Sequence, residues 1–170
     1  MLAAAACSHT PPVASTAGRG PGPGQGRADD VECVPFARAR SGIQLYGNAA
    51  DWWWKAAGLY ARSHTPAVGS VLVLGRTSRL VNGHVGVVTA VDSPRDIRVT
   101  QANWVRGQVF EDLPVIDVSA ANDWTLVRVW WPPAGQMGAT PYPAYGFILP
   151  EPPRTAERLA VEPAIAAAGW

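Results

Sequence analysis

Proline and glycine are distributed so that only the middle of the chain is free to form regular structure. Residues 8–28 are rich in Ser, Thr, Pro and Gly and include the run 18–26. Such a segment buries too little apolar surface to offset the entropy of ordering it, so we interpret it as a flexible tether. Seven prolines lie between residues 132 and 153, and they are expected to keep residues 133–170 irregular apart from a weak helix near Thr155–Val161. These limits predict one folded domain over residues 29–132.

The first seven residues predict an envelope location. The segment Leu2–Ala6 followed by Cys7 is similar to the end of a secretory signal with a lipoprotein cleavage box, which makes residues 1–28 a signal remnant and tether. We therefore expect lipid on Cys7, membrane attachment through it, and a periplasmic, outer-membrane or secreted protein. An Ala-rich start without meaning is the alternative. No run of about 20 apolar residues predicts a membrane-spanning helix.

Charge and ligand patterns exclude several classes of function. The net charge is +1, and the 13 arginines and the single Lys55 are scattered, so no nucleic-acid partner is expected. Neither a CxxC nor a HExxH pattern is present. We therefore expect no metal and no cofactor, and we expect a monomer.

Hydrophobic spacing predicts an α+β fold with leading helices and a following antiparallel sheet. A helix over Val31–Gly42 is located by Pro35, because proline is tolerated in a first turn. A second helix over Ala49–Ala57 is expected, with Asn48 as its cap. The turn signal at 82–83 then precedes a strand. The predicted strands are Ser70–Leu74, His84–Val91, Ile97–Asn103, Val105–Phe110 and Trp124–Trp131.

Cys33 is the candidate nucleophile. It lies in the first helical turn, where free N–H groups and the helix dipole favour a thiolate and can later bind an oxyanion. Most free cysteines are small buried hydrophobes, and that interpretation stays open.

His84 is the candidate base, because it opens a strand after a turn and its ring should lie at the edge of the sheet. A polar residue beside a turn is the plainer alternative. Asn103 is the candidate that orients the imidazole, since its amide oxygen can accept from one ring nitrogen. Gln101 lies two residues earlier on the same face of the strand. Asn103 could also simply end that strand.

Four segments in this order resemble the CHAP domain, the cysteine, histidine-dependent amidohydrolase/peptidase. They are Glu-Cys-Val-Pro-Phe-Ala-Arg from residue 32, Gly-Ser-Val-Leu-Val-Leu from residue 69, Gly-His-Val-Gly-Val-Val from residue 83 and Gln-Ala-Asn-Trp from residue 101. The resemblance implies a papain-like fold and cleavage of peptidoglycan, at the amide joining muramic acid to alanine or within peptide stems. It also implies Cys33, His84 and Asn103 as catalytic residues.

Two positions depart from this family. Glu32 stands where many members have Gln, and its carboxylate could repel a thiolate. Gln101 stands where many members have Glu, and a neutral partner should stabilise imidazolium less. These departures keep an inactive envelope-binding module open as an alternative, together with an amidase that acts on a small soluble amide.

The eight tryptophans suggest a second role for aromatic side chains. Trp52–Trp54 and Trp130–Trp131 could line a groove for sugar or peptide, although core packing is the commoner role. Three consecutive helical residues cannot all face inward, so at least one should be exposed. Trp104 is the candidate for shielding the site from water.

Overall fold

The computed structural model describes residues 31–152. The tether, Cys7 and the helix predicted near Thr155–Val161 lie outside the described residues.

Two short helices open the described chain. Helix α1 spans Cys33–Ser41, and it ends at Gly42, whose φ of 78° is left-handed and whose N–H donates to the Arg38 carbonyl. Cys33 therefore lies in the first turn, as predicted. The second predicted helix is shorter than expected: a 3-10 turn over Ala49–Asp51 continues into α2, Trp52–Lys55, and Asn48 makes no side-chain capping bond. Within residues 31–152 no helix has the length and apolar character needed to cross a membrane.

Eight strands follow in the part of the chain that the structure describes, and six of them close into an antiparallel barrel. Strand β8 pairs with both β2 and β6, so the sheet order β8-β2-β3-β4-β5-β6 returns to β8. The two short strands β1 and β7 pair with β8 and β6, respectively. The strands are β1 Arg62–Ser63, β2 Val71–Leu74, β3 His84–Ser93, β4 Asp96–Ala102, β5 Val109–Asp117, β6 Leu126–Trp131, β7 Gln136–Met137 and β8 Tyr142–Ile148.

The predicted α+β, papain-like arrangement of helices packed on an antiparallel sheet is wrong, because the sheet closes on itself and only two short α-helices accompany it within residues 31–152. Closure depends on β8, in the stretch whose prolines were expected to prevent regular structure. Pro143 is tolerated there because its side chain is exposed and its carbonyl accepts from the Gly75 N–H at an irregularity of the β2–β8 pairing. The predicted domain boundaries stay a prediction, although the barrel extends past residue 132.

The barrel wall has a buried layer on each side, and this positions α1. In β2, Leu72 and Leu74 point into the barrel, whereas Val71 and Val73 pack outward with Ala37 of α1. All four strand residues are buried, as expected for a strand covered on both faces. Packing through Ala37 places the first turn of α1 beside β3, the strand that begins with His84.

Candidate active site

Cys33 lies at the first position of α1, and it is a partly buried free thiol. The Phe36 N–H already donates to the Glu32 carbonyl, and Pro35 has no N–H to offer. The backbone N–H groups of Val85, Val34 and Cys33 itself interact with the sulfur and favour its anion. Burial opposes them and is the largest influence, and the negative charge of Glu32 adds to it, so the pKa of Cys33 is raised above 9.0. The contact with the Val85 amide places the sulfur beside β3, one residue after His84.

His84 begins β3 opposite Leu74 of β2, directly after a tight turn. Gly83 has a φ of 74°, and a Cβ there would lie 2.6 Å from both the Ala50 Cβ and the Leu74 carbonyl oxygen. Glycine is therefore required for the chain to enter β3 at this point. The ring of His84 was expected at the edge of the sheet, but the residue is only 4% exposed. The Trp104 ring lies against it at a centroid distance of 5.1 Å, and a shielding role for Trp104 stays a prediction.

Gln101, in β4, makes the contact that orients the imidazole. Its Oε1 lies 2.9 Å from His84 Nε2, and both residues are buried. An amide oxygen only accepts, so this bond requires the proton on Nε2 and leaves the lone pair on Nδ1. Gly86 leaves space for the amide, because a Cβ there would lie 3.2 Å from the same oxygen.

Asn103 does not make the orienting contact for which it was predicted. It follows the end of β4 with a φ of 62°, outside the alternation of the strand. Its Nδ2 donates to Glu32 Oε2 over 3.1 Å, and its Oδ1 accepts from the Gly107 N–H over 2.9 Å. Asn103 therefore ties the carboxylate before the nucleophile to the far rim of the site, and Gln101 takes the place beside His84.

The imidazole is neutral at physiological pH. Burial is the largest influence and lowers the pKa of His84 from 6.5 to about 4. The positive charge of Arg79 also lowers the pKa, while the hydrogen bond that Nε2–H donates to Gln101 opposes the shift. With the thiol pKa raised, the resting pair at pH 7 is a neutral thiol and a neutral imidazole. A pair in this state holds the proton on sulfur and a free acceptor on the ring.

Cys33, His84 and Asn103 line one cavity of about 530 Å³ that opens to solvent. Glu32 and Arg79 also border it, whereas Trp52–Trp54 do not. Trp52 is fully buried and Trp54 is 61% exposed, which confirms that the three cannot all face inward. No group of three His, Cys, Asp or Glu side chains within residues 31–152 could hold a metal ion.

The family model of the CHAP domain matches residues 22–103, which include Cys33, His84, Gln101 and Asn103. The matched segment, which is just under half of the chain, is similar to the CHAP domain. Strands β5 to β8, which complete the barrel, follow the matched CHAP segment.

Solved structures similar to the chain include the crystal structure of Ly7917, at 18% identity and a TM-score of 0.40, covering 75% of this chain and 57% of that chain. The crystal structure of Ly7917 with the hydrolyzing product of MDP matches at 21% identity and a TM-score of 0.38, covering 72% of this chain and 57% of that chain. The chain thus spans less than two thirds of the length of either solved chain. No curated protein matches it in sequence.

Proposed function

We propose that this protein is a peptidoglycan hydrolase of the bacterial cell envelope that cleaves an amide bond through an acyl-enzyme on Cys33. The bond is either the amide joining muramic acid to alanine or one within the peptide stem. The observation that carries the proposal is that Cys33 and His84 open onto one cavity while Gln101 fixes the far side of the imidazole.

In the first half of the proposed reaction, the Cys33 sulfur attacks the scissile carbonyl carbon as its proton moves to His84 Nδ1. In this proposal the oxyanion is bound by the N–H groups of Cys33 and Val34, which interact with the sulfur at the start of α1. Collapse of the tetrahedral intermediate breaks the C–N bond, and His84 protonates the departing amine. Proton transfer concerted with attack suits a thiol whose own pKa is raised.

In the second half, His84 accepts a proton from water as the water oxygen attacks the thioester carbonyl. The C–S bond breaks, the proton returns to sulfur, and a carboxylic acid is released. Gln101 acts here as a positioning residue: its oxygen accepts from Nε2–H, which leaves Nδ1 free to exchange the proton with the thiol in both halves. Trp104 excludes water from one side of the ring.

The test is digestion of purified peptidoglycan by the full chain, followed by mass analysis of the released muropeptides. We expect wild-type protein to release fragments that identify the bond cut, and Cys33→Ala and His84→Gln to release none. His64→Gln, which alters an exposed histidine, is the matched control and should behave as wild type. Full activity in Cys33→Ala with an unchanged circular dichroism spectrum would refute the mechanism.

One observation favours a second candidate, an envelope-binding module without activity: burial and Glu32 raise the pKa of the Cys33 thiol. The two candidates differ in their reaction with a thiol reagent. In an active site, a substrate-like electrophile should label Cys33 faster than a neutral alkylating reagent of similar size, because it uses His84 and the oxyanion donors. Equal, slow labelling by both reagents, together with binding of peptidoglycan in a pull-down, would support the binding module.

A further inference from the structure

A second cavity of about 200 Å³ lies behind Trp104, between the β2–β3 loop and the segment after β7. Arg79 borders both this cavity and the one that contains Cys33 and His84. Trp131, Thr140 and Tyr142 line its walls. We call it the Arg79 cavity. Because Arg79 borders both cavities, the Arg79 cavity lies directly next to the proposed site of amide cleavage.

The guanidinium of Arg79 is held in one orientation by aromatic rings. Its Cζ lies 4.3 Å from the centroid of a Trp104 ring and 4.7 Å from that of Trp131. It donates to Tyr142 Oη over 2.5 Å and to the Trp104 carbonyl over 3.2 Å. A guanidinium fixed by stacking and two hydrogen bonds loses little further freedom when a ligand binds.

The charge of Arg79 is not neutralised by the part of the chain that the structure describes. Three other arginines there pair with carboxylates, namely Arg76 with Asp51, Arg95 with Asp117 and Arg98 with Asp92. Arg79 has neutral oxygens as its hydrogen-bond partners instead. A guanidinium has five N–H donors in a planar fork that matches a carboxylate, so donors remain for an anion.

The opposite wall of the cavity is also held in place. The Gly138 N–H donates to the Val129 carbonyl over 3.0 Å, and Arg128 Nε donates to the Gly138 carbonyl over 2.6 Å. A Cβ at Gly138 would lie 2.7 Å from the Val129 oxygen, so this segment is seated against β6. Thr140 adds a neutral polar residue to the lining of the cavity. Aromatic walls, one cation and this volume suit a single carboxylate on a short side chain.

We infer that the Arg79 cavity is a substrate subsite that binds a free carboxylate of the peptide stem, next to the amide that is cut. This inference rests on the proposed function, because a peptidoglycan stem supplies carboxylates near its amide bonds. Arg79 then sets specificity: stems with a free carboxylate are preferred over stems in which the same group is amidated.

The test compares two synthetic muramoyl peptides that differ only in having their stem carboxylates free or amidated. For wild-type protein we expect a KM about ten- to a hundredfold lower for the free acid, as charge-assisted hydrogen bonds would give. Arg79→Gln should remove this preference mainly through KM, and Arg79→Lys should retain part of it. Arg76→Gln, in the same loop but paired with Asp51 at the surface, is the matched control and should keep the preference.

A second variant keeps Arg79 and fills the cavity. Ala139 is exposed at its rim, so Ala139→Phe should weaken use of the free acid without removing the charge. An unchanged preference in both folded variants would overturn the inference. So would an equal loss of kcat on both peptides, which would indicate that Arg79 only packs the aromatic wall.

Binding measurements separate this inference from the proposed function. Cys33→Ala protein is titrated with each peptide by calorimetry, and we expect about tenfold tighter binding of the free acid. If wild type cleaves neither peptide but this difference in binding is found and disappears in Arg79→Gln, the proposed function fails and the subsite stands. If both peptides bind equally, the subsite is refuted whatever the activity.

Discussion

The buried neutral imidazole of His84 should make the protein less stable in acid, and His84→Gln should remove that effect. In the folded protein burial lowers the pKa of His84 to about 4, whereas in the unfolded chain the ordinary value of 6.5 applies. Above pH 6.5 the ring is neutral in both states and has no effect. As the pH falls below 6.5, the unfolded chain binds a proton that the folded protein does not, so stability is lost.

The size of the loss follows from the two pKa values. The free energies of proton binding to the folded and unfolded states differ by about 2 kcal/mol at pH 5 and by about 3 kcal/mol at pH 4. No further loss from this residue is expected well below pH 4, where the folded protein also binds the proton. Because the residue is only 4% exposed, solvent screening reduces this value little.

Urea unfolding of wild type, His84→Gln and His64→Gln at several values between pH 7 and pH 4 measures the effect. Other groups titrate in all three proteins, so the quantity of interest is the difference between each variant and wild type at each pH. His84→Gln should lose about 3 kcal/mol less than wild type over this range. His64→Gln alters an exposed side chain and should follow wild type. Parallel curves for wild type and His84→Gln would refute the buried neutral ring and with it the geometry on which the proton transfer depends.

Three further predictions concern residues around the proposed nucleophile. Gln101→Leu should lower kcat by about ten- to a hundredfold with little change in KM, because the imidazole of His84 loses the acceptor that orients it. Gln101→Glu should keep activity and raise the lower pH limit of the rate profile, because a carboxylate stabilises imidazolium. Equal kcat values for wild type and Gln101→Leu would contradict this role. Glu32→Gln should lower the pKa of Cys33, because the charge of Glu32 raises it. A neutral alkylating reagent should then label the thiol at a lower pH than in wild type. Identical labelling curves would show that the charge of Glu32 does not affect the thiol. Gly83→Ala should destabilise the protein by more than about 1 kcal/mol in urea unfolding, since the left-handed φ and the contact with Ala50 both oppose a Cβ; a variant as stable as wild type would show that the turn relaxes.

Local sequence patterns were enough to predict the secondary structure around the proposed catalytic residues. Pro35 located the first turn of α1, so Cys33 could be assigned to a helix start, and the turn at 82–83 put His84 at the first position of a strand. Both assignments depend on the conformation of neighbouring residues, which proline and an Asn-Gly turn restrict directly. The resemblance to the CHAP domain depends on the same short segments, so it can be recognised without any tertiary contact.

Contacts between residues that are distant in sequence could not be predicted from local sequence patterns. Whether Gln101 or Asn103 meets the imidazole depends on the β3–β4 register and on the left-handed backbone at Asn103, and neither follows from the residue types alone. The barrel closes because β8 finds hydrogen-bonding partners on β2 and β6, and these pairings outweigh the local cost of Pro143. Burial of His84 is a consequence of that packing, and so is its lowered pKa. Neighbouring residues restrict the local backbone conformation. Side-chain contacts and burial, by contrast, are decided only when strands that are distant in sequence pack together.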